Sequence, residues 1–203
     1  MPFKQEVIKH LDEVTPEVTA IGACNTVVLN DGRLTGYNTD WRGAVAAIKE
    51  VTSEHIQSAT IIGSGGAAMA IAYGLKDQGL KVYIAARSLV KRTALVQQLH
   101  LDGDSSVEDQ GQFGSTLIVN ATPIAEGSEC PLVLAKHPKG RVLLDVVFGK
   151  KQTPLGSEAS SMGWKVAAGW RMLLHQALAQ FELYTGQPAP AEEMGKVLSD
   201  ALS

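Results

Sequence analysis

The stretch Ala59-Thr60-Ile61-Ile62-Gly63-Ser64-Gly65-Gly66-Ala67-Ala68-Met69-Ala70 decides the fold of this chain. A β-branched run ends at a glycine cluster, and an alanine-rich segment follows, which predicts a strand, a turn and a helix. In that context Gly63-x-Gly65-x-x-Ala68 is typical of a dinucleotide site. The first glycine permits a tight turn, the second lets a pyrophosphate approach the backbone, and the free N–H groups of the helix favour phosphate. A flexible glycine loop is the alternative, but a second predicted strand at residues 81–85 gives βαβ spacing and favours the nucleotide site.

Composition excludes several classes of protein. The 203 residues carry a net charge of −3, with 45% hydrophobic and 19% charged residues, which is ordinary for a globular α/β protein. No basic stripe is available to neutralise the phosphates of a nucleic acid. The two cysteines, Cys24 and Cys130, suggest neither a disulfide framework nor a metal site. We therefore expect a cytoplasmic protein with no metal, no nucleic-acid partner and no membrane segment.

Hydrophobic periodicity and turn signals divide the chain into alternating elements. The pattern predicts a short amphipathic helix over residues 5–14, a strand within 19–29, and a hairpin turn at Asn30-Asp31-Gly32. Residues 102–106 are expected to form a loop. The remaining predicted helices are the alanine-rich segment after the glycine cluster, a helix that ends at about Leu99, and helices over 41–51, 170–185 and 192–202; the remaining strands cover 33–38, 117–123, 141–148 and 165–168. This alternation predicts an α/β fold with a doubly wound, Rossmann-like parallel sheet.

The residues after the second predicted strand indicate which dinucleotide binds. A NAD site usually places an acid about twenty residues past the glycines, where it accepts the ribose hydroxyls. Here the strand ends in Arg87, with Lys91 and Arg92 close behind and no acid nearby. These cations fit the extra phosphate of NADP, which a guanidinium can bind with two hydrogen bonds. The alternative is a basic helix start on a solvated face.

Several motifs, in order along the chain, carry a specific resemblance. The segments Ile21-Gly22-Ala23-Cys24-Asn25-Thr26-Val27-Val28 and Gly36-Tyr37-Asn38-Thr39-Asp40 resemble paired signatures of the shikimate dehydrogenases. Met1-Pro2-Phe3-Lys4 resembles the end of that family's Val-Thr-x-Pro-x-Lys segment, whose lysine is catalytic. The match continues through Gly63-Ser64-Gly65-Gly66-Ala67, Asn120-Ala121-Thr122-Pro123, Asp145-Val146-Val147-Phe148, Thr153-Pro154-Leu155, Gly169, Met172-Leu173, Gln176-Ala177 and Phe181-Glu182-Leu183-Tyr184-Thr185-Gly186.

The resemblance implies an NADP-dependent enzyme that reversibly reduces 3-dehydroshikimate to shikimate, in the biosynthesis of chorismate and aromatic amino acids. It implies a Rossmann-like NADP domain at residues 40–170 and a substrate domain made of residues 1–39 and 171–203. Lys4 and Asp40 would be the catalytic pair. Substrate would contact Asn25, Asp40, Phe148 and Gln176. The cofactor would contact Gly63, Ser64, Gly65, Gly66, Ala67, Ala86, Arg87, Ser88, Lys91, Val146 and Gly169.

The chain departs from the family pattern in ways that keep alternatives open. Phe148 stands where the family usually has tyrosine, and Ile124-Ala125-Glu126 replaces a glycine and a methionine after the Asn120 motif. The family's first strands, with a serine pair that binds the substrate carboxylate, have no counterpart in the printed sequence. We therefore expect an incomplete substrate domain that binds NADP but turns over poorly, unless a homodimer or another partner completes it.

Two other functions fit the same residues. One is a quinate/shikimate dehydrogenase with looser cofactor choice, against which Arg87 argues. The other is a regulatory or vestigial relative that binds ligand without turnover, against which the retained Lys4 and Asp40 argue. Asp40 has a simpler interpretation as a helix N-cap, the usual role of aspartate at the start of a helix.

Overall fold

The structure, a computed structural model, describes residues 3–124, 130–148 and 152–202. Its helices are α1 (Phe3–Glu6), α2 (Pro16–Ile21), α3 (Asp40–Val51), α4 (Gly66–Asp77), α5 (Leu89–Leu99), α6 (Pro154–Ser161), α7 (Gly169–Thr185) and α8 (Ala191–Ala201). Its strands are β1 (Glu13–Val14), β2 (Thr26–Asn30), β3 (Arg33–Tyr37), β4 (Ser58–Ile62), β5 (Lys81–Ala85), β6 (Gly103–Ser105), β7 (Leu117–Asn120), β8 (Val142–Asp145) and β9 (Lys165–Ala168). None of the helices in these ranges is long and apolar enough to cross a membrane.

The larger sheet has the order β6-β5-β4-β7-β8-β9, and every described pair of neighbouring strands is parallel. The chain starts at β4, winds outward to β6, and then returns to β7 on the other side of β4. The direction of winding therefore reverses between β4 and β7, which is the arrangement of a doubly wound dinucleotide-binding sheet. This confirms the predicted fold class.

Both faces of the sheet are buried, as a parallel sheet requires. Ile61 packs on one face in a cluster with residues of α3, α4 and α5, while its neighbour Ile62 packs on the other face with Leu155 and Ala159 of α6. All residues of β7 and β8 are buried. Packing on both faces therefore holds the strands of this sheet in place.

The smaller sheet has the order β1-β3-β2, with β1 parallel and β2 antiparallel to β3. A two-residue turn joins β2 to β3, and its residues Asp31 and Gly32 have φ values of 49° and 78°. Positive φ at both positions matches a type I′ turn, whose twist suits a hairpin. The hairpin turn predicted from the sequence is confirmed.

Two predictions about the secondary structure were wrong, and a third was right only for part of its segment. The helix predicted over 5–14 ends in a 3-10 turn at His10, and Glu13–Val14 instead pairs with β3 as an edge strand. The strand predicted within 19–29 is present as β2, which begins at Thr26; Thr19 to Ile21 belong to α2, because Pro16 occupies the first helical position and Gly22 ends the helix in the left-handed region. The expected loop at 102–106 contains β6, whose Gly-Asp-Ser sequence has little strand propensity and which forms only because β5 pairs with it.

One buried histidine beside the larger sheet couples stability to pH. His137 is 2% exposed, and its Nε2 lies 3.2 Å from Oε1 of Gln110, an oxygen that also accepts the N–H of Val133. In the neutral ring, Nε2 is therefore the nitrogen that carries the hydrogen and donates it to Gln110. Nδ1 has no partner among the described residues. Burial lowers the pKa of His137 to about 4, so the folded protein keeps this ring neutral where the unfolded chain would protonate it.

We predict that protonation of His137 in the unfolded state destabilises the fold as the pH falls from about 6.5 to about 4, with no further loss below the lower value. The free energy of unfolding of the parent should fall by about 1–2 kcal/mol more than that of His137→Gln between about pH 7 and pH 5. Urea unfolding at both pH values measures this difference. Equal losses in parent and variant would contradict the assignment.

Candidate active site

The predicted cofactor residues lie together at one edge of the larger sheet. Gly63, Ala86, Val146 and Gly169 directly follow β4, β5, β8 and β9. Because these strands are parallel, their carboxyl ends share an edge, and ligands of such sheets bind there, at the point where the winding reverses. The start of α4 at Gly66 also lies at this edge, which we call the cofactor edge.

The glycine loop between β4 and α4 has the geometry that a pyrophosphate needs. Gly63 has φ of 123°, and a Cβ there would lie 2.9 Å from the carbonyl oxygen of Ala121, so only glycine fits. A Cβ on Gly65 or Gly66 would meet nothing within 4 Å, so this side of the loop is open. No side chain caps α4, and its first N–H groups are available to a phosphate.

The cations after β5 divide into two roles. Arg87, Ser88 and Lys91 are exposed, and Ser88 caps α5 by accepting the backbone N–H of Lys91. Arg92 instead donates to Oδ1 of Asp104 at 2.8 Å and to the carbonyl oxygen of Ala86 at 2.9 Å. Arg92 therefore holds the turn in place, and the expectation that it joins Arg87 in binding phosphate is revised. No partner engages the side-chain charges of Arg87 and Lys91 within the described ranges.

The far side of the cofactor edge is shaped by Gly169 and a buried carboxylate. A Cβ on Gly169 would lie 2.5 Å from the carbonyl oxygen of Val147, so glycine lets α7 start directly against this segment. Asp145, 1% exposed, accepts hydrogen bonds from Asn120 Nδ2 at 2.9 Å, from the hydroxyl of Thr153, and from the backbone N–H of Val147. Burial raises the pKa of Asp145, while these hydrogen bonds act in the opposite direction.

This buried network was missed as a unit by sequence reasoning, which quoted its residues only as parts of motifs. The signal was a polar residue at the end of two neighbouring apolar strands, since Asn120 and Asp145 are register partners. The altered loop after Ile124 lies partly outside the described residues, at 125–129. The described part is held by Asn120, whose Nδ2 also donates to the carbonyl oxygen of Ile124 at 3.0 Å.

The predicted catalytic pair forms a direct contact. Nζ of Lys4 lies 2.6 Å from Oδ2 of Asp40, and the two side chains are 32% and 13% exposed. Lys4 is held in place through its carbonyl oxygen, which accepts the N–H of Cys24 at 2.7 Å. The Asp40 carboxylate does not cap α3: the N-cap position is Thr39, and the N–H of Asp40 donates to Oδ1 of Asn38. The helix-cap interpretation of Asp40 therefore loses its support.

Asn25 and Gln176 join this pair in one hydrogen-bonded network. Nδ2 of Asn25 donates to Oδ1 of Asp40 at 2.9 Å and lies 3.4 Å from Oε1 of Gln176. The network thus brings together α1, the segment before β2, the start of α3 and the middle of α7. Phe148 lies outside it, after β8, with 64% of its surface exposed.

A cavity of about 800 Å³ lies elsewhere, at the amino ends of β4, β5 and β7, where Ser58, Lys81 and Leu117 line it. It is therefore at the opposite edge of the sheet from the glycine loop, and it contains none of the predicted site residues.

The geometry agrees with the comparisons to known proteins. Residues 1–27 match the shikimate dehydrogenase substrate binding domain, and residues 169–198 match the shikimate 5'-dehydrogenase C-terminal domain. A shikimate dehydrogenase (NADP(+)) of Bacillus cereus strain B4264 is 34% identical over 214 residues, covering 99% of this chain and 76% of the relative. The chain belongs to the shikimate dehydrogenase family.

Solved structures of this family have the same fold. Shikimate 5-dehydrogenase from Thermus thermophilus, in complex with NADP(H) and shikimate, has a TM-score of 0.89 and 33% identity, covering 100% of this chain and 77% of that chain. Quinate dehydrogenase from Corynebacterium glutamicum, in complex with NAD, has a TM-score of 0.88 and 28% identity, covering 98% and 75%. The chain thus spans about three quarters of the length of these family members.

We predict that NADP binds this chain much more tightly than NAD, because the unengaged guanidinium of Arg87 can pair with the extra phosphate. Loss of a charge-assisted hydrogen-bonded pair costs roughly 1.5–3 kcal/mol, so Arg87→Ala should weaken NADP by about ten- to a hundredfold and leave NAD nearly unchanged. Calorimetric titration of both cofactors measures this. Arg33→Ala, on the exposed hairpin, is the matched control and should bind like the parent; equal NADP and NAD affinity in the parent would contradict the prediction.

Proposed function

We propose that this protein is an NADP-dependent shikimate dehydrogenase that interconverts 3-dehydroshikimate and shikimate. The observation that carries the proposal is the Lys4–Asp40 ion pair, which shares a network with Asn25 and Gln176. Gly169 and Gln176 are seven residues apart on α7, about 10 Å along its axis. The network therefore lies about two helical turns along α7 from the predicted nicotinamide side of the cofactor edge.

The residues of the glycine loop and the turn after β5 fit NADP. Gly63 to Ala67 would hold its pyrophosphate, Ala86 to Lys91 its phosphorylated ribose, and Val146 and Gly169 its nicotinamide. When bound, NADPH would supply the hydride for reduction, and NADP+ would take it up in oxidation.

The ion pair supplies the proton chemistry. Reduction of a ketone builds negative charge on its oxygen, and the Lys4 ammonium can stabilise that charge and donate the proton that completes the hydroxyl. Asp40 holds the ammonium in place through the 2.6 Å contact of its Oδ2 with Nζ of Lys4. In the direction of oxidation the transfer runs in reverse, and Nζ of Lys4 in its neutral amine form accepts the hydroxyl proton.

Asn25 and Gln176 support recognition of a polyhydroxylated ring. The Asn25 carboxamide turns its Nδ2 toward the site and can donate to a hydroxyl, whereas the Gln176 carboxamide offers both a donor and an acceptor. A site with such groups strongly prefers a ring that carries the hydroxyls over an analogue that lacks them, because the analogue would leave the amides unpaired.

The domain division and the partner belong to the same proposal. The two sheets support a cofactor domain at 40–170 and a substrate domain at 1–39 and 171–203. The unpaired Cys24 and Cys130 support a reducing, cytoplasmic location. A homodimer or other partner that completes the substrate side stays a prediction, which sedimentation of the purified chain would test.

Two alternatives are weighed against specific residues. A quinate dehydrogenase that uses NAD is favoured by one relative of that activity, whereas the exposed Arg87 favours NADP. A binding protein without turnover would have no need of an ammonium beside a carboxylate in the substrate site, and the 2.6 Å contact argues against it.

We predict that Lys4→Ala lowers kcat for NADP-dependent shikimate oxidation by about a hundredfold or more, as expected for loss of a general acid and base. NADP affinity should be retained, because Lys4 lies outside the cofactor edge. The absorbance of NADPH gives the rate, and calorimetry gives the affinity. A parent with no detectable oxidation and no shikimate binding would contradict the proposed function itself.

Asp40→Asn is the companion variant. Asparagine has nearly the shape of aspartate, and Thr39 rather than residue 40 occupies the N-cap position, so the substitution acts on the charge and the hydrogen bonds beside Lys4. We expect turnover to collapse while the melting temperature stays close to that of the parent. Unchanged turnover would show that the carboxylate has no part in the reaction.

A further inference from the structure

The orientation of the Asn25 carboxamide is fixed by its neighbours. Oδ1 of Asn25 lies 2.9 Å from the backbone nitrogen of Thr39 and 2.8 Å from the hydroxyl of Thr26. A backbone N–H can only donate, so the carbonyl oxygen must face Thr39, and the amide nitrogen must face Asp40. The carboxamide therefore has one allowed orientation rather than two.

Thr26 connects this carboxamide to α7. Its side chain is 1% exposed, and its only hydroxyl proton is donated to Asn25. The lone pairs of that oxygen are left to accept, and Nε2 of Gln180 donates to it at 3.0 Å. The same Nε2 lies 3.4 Å from the backbone carbonyl oxygen of Asn25. Donors and acceptors thus run in one direction, from Gln180 through Thr26 to Asn25.

Gln180 also faces Gln176, one helical turn earlier on α7. Oε1 of Gln180 lies 3.5 Å from Nε2 of Gln176, whose Oε1 is 3.4 Å from Asn25. These two contacts are longer than those of Thr26 and Thr39, so Gln176 is held loosely and can turn toward a ligand. Gln180 is consequently linked to both amides that are proposed to bind the substrate. It reaches the Asn25 amide through Thr26 and contacts the Gln176 amide directly.

We propose that Gln180 is a positioning residue for the substrate site, acting through Thr26 on Asn25 and directly on Gln176, without contacting the substrate. The inference rests on the proposed function, since it requires that Asn25 and Gln176 bind the substrate. Its physical basis is preorganisation: a carboxamide already oriented before binding, as that of Asn25 is, loses less freedom when the substrate arrives, and the contact with Gln180 limits the range of Gln176.

A positioning role for Gln180 predicts that its loss changes KM and leaves kcat nearly unchanged. Gln180→Leu leaves the Thr26 hydroxyl oxygen without its donor and releases Gln176. Loss of a neutral hydrogen bond corresponds to about a two- to tenfold change in an equilibrium constant. We expect the KM for shikimate to rise about three- to tenfold, with kcat changed by less than about twofold, since Lys4 and Asp40 keep their contact. NADP affinity should not change.

A double-variant cycle separates positioning from general damage. Thr26→Val removes the hydroxyl at nearly constant shape and should raise KM as Gln180→Leu does, whereas Thr26→Ser should behave like the parent. Because Gln180 acts partly through Thr26, the double variant should raise KM by less than the product of the two single effects. Gln97→Leu, an exposed glutamine on α5, is the matched control and should leave both constants unchanged.

The cycle is measured by steady-state kinetics, with shikimate affinity by calorimetry in the presence of NADP and with melting curves for every variant. A KM for Gln180→Leu within twofold of the parent, or single effects that multiply fully in the double variant, would overturn the positioning role while leaving the proposed function intact. Failure of the parent itself to bind or oxidise shikimate would overturn both.

Discussion

The close packing of α3 against α7 is the constraint on which the site depends. A Cβ on Gly43 would lie 2.6 Å from the carbonyl oxygen of Met172 and 3.0 Å from Gln176, so the two helices approach as closely as backbone allows. α3 begins at Asp40, where the smaller sheet ends, and α7 begins at Gly169, where the larger sheet ends. Their contact therefore sets Asp40 beside the polar face of α7 and fixes one sheet relative to the other.

An ion pair on the outer side of these helices holds their register. Arg171 donates to both carboxylate oxygens of Glu50, one of them at 2.6 Å, and Nε2 of His175 lies 2.8 Å from the same carboxylate. The hydrogen bonds from Arg171 lower the pKa of Glu50. A fork of this kind resists sliding of one helix along the other better than a single contact does, and it lies at the far end of α3 from Asp40.

The elements predicted correctly are those whose conformation depends mainly on their own residue types, rather than on contacts with distant parts of the chain. The Asp31-Gly32 turn, the strand at 81–85 and the glycine loop were found from residue type and spacing alone, and the parallel sheet followed from their order. β6 was missed because Gly-Asp-Ser becomes a strand only when β5 lies beside it. The helix predicted at 5–14 failed because the apolar spacing of so short a segment suits several structures, and pairing with β3 decided between them.

The site was less accessible to sequence reasoning than the fold. Asn25 and Gln176 are separated by 151 positions, and no periodicity predicts that they share a hydrogen bond. Lys4, taken alone, resembles any surface lysine; only the family resemblance marked it, and only the structure shows it against Asp40. The roles of Thr26 and Gln180 depend on the direction of individual hydrogen bonds, which a sequence does not contain. The expectation of poor turnover stays a prediction.

The central claim is that one network, built on Lys4 and Asp40, holds the reacting hydroxyl opposite the cofactor edge. A crystal structure of this protein with both NADP and shikimate tests it most directly. The account predicts that the hydroxyl to be oxidised lies within hydrogen-bond distance of Nζ of Lys4 and of the Asp40 carboxylate, with the nicotinamide against Val146 and Gly169. Shikimate bound away from Lys4, or a nicotinamide at another edge of the sheet, would contradict it.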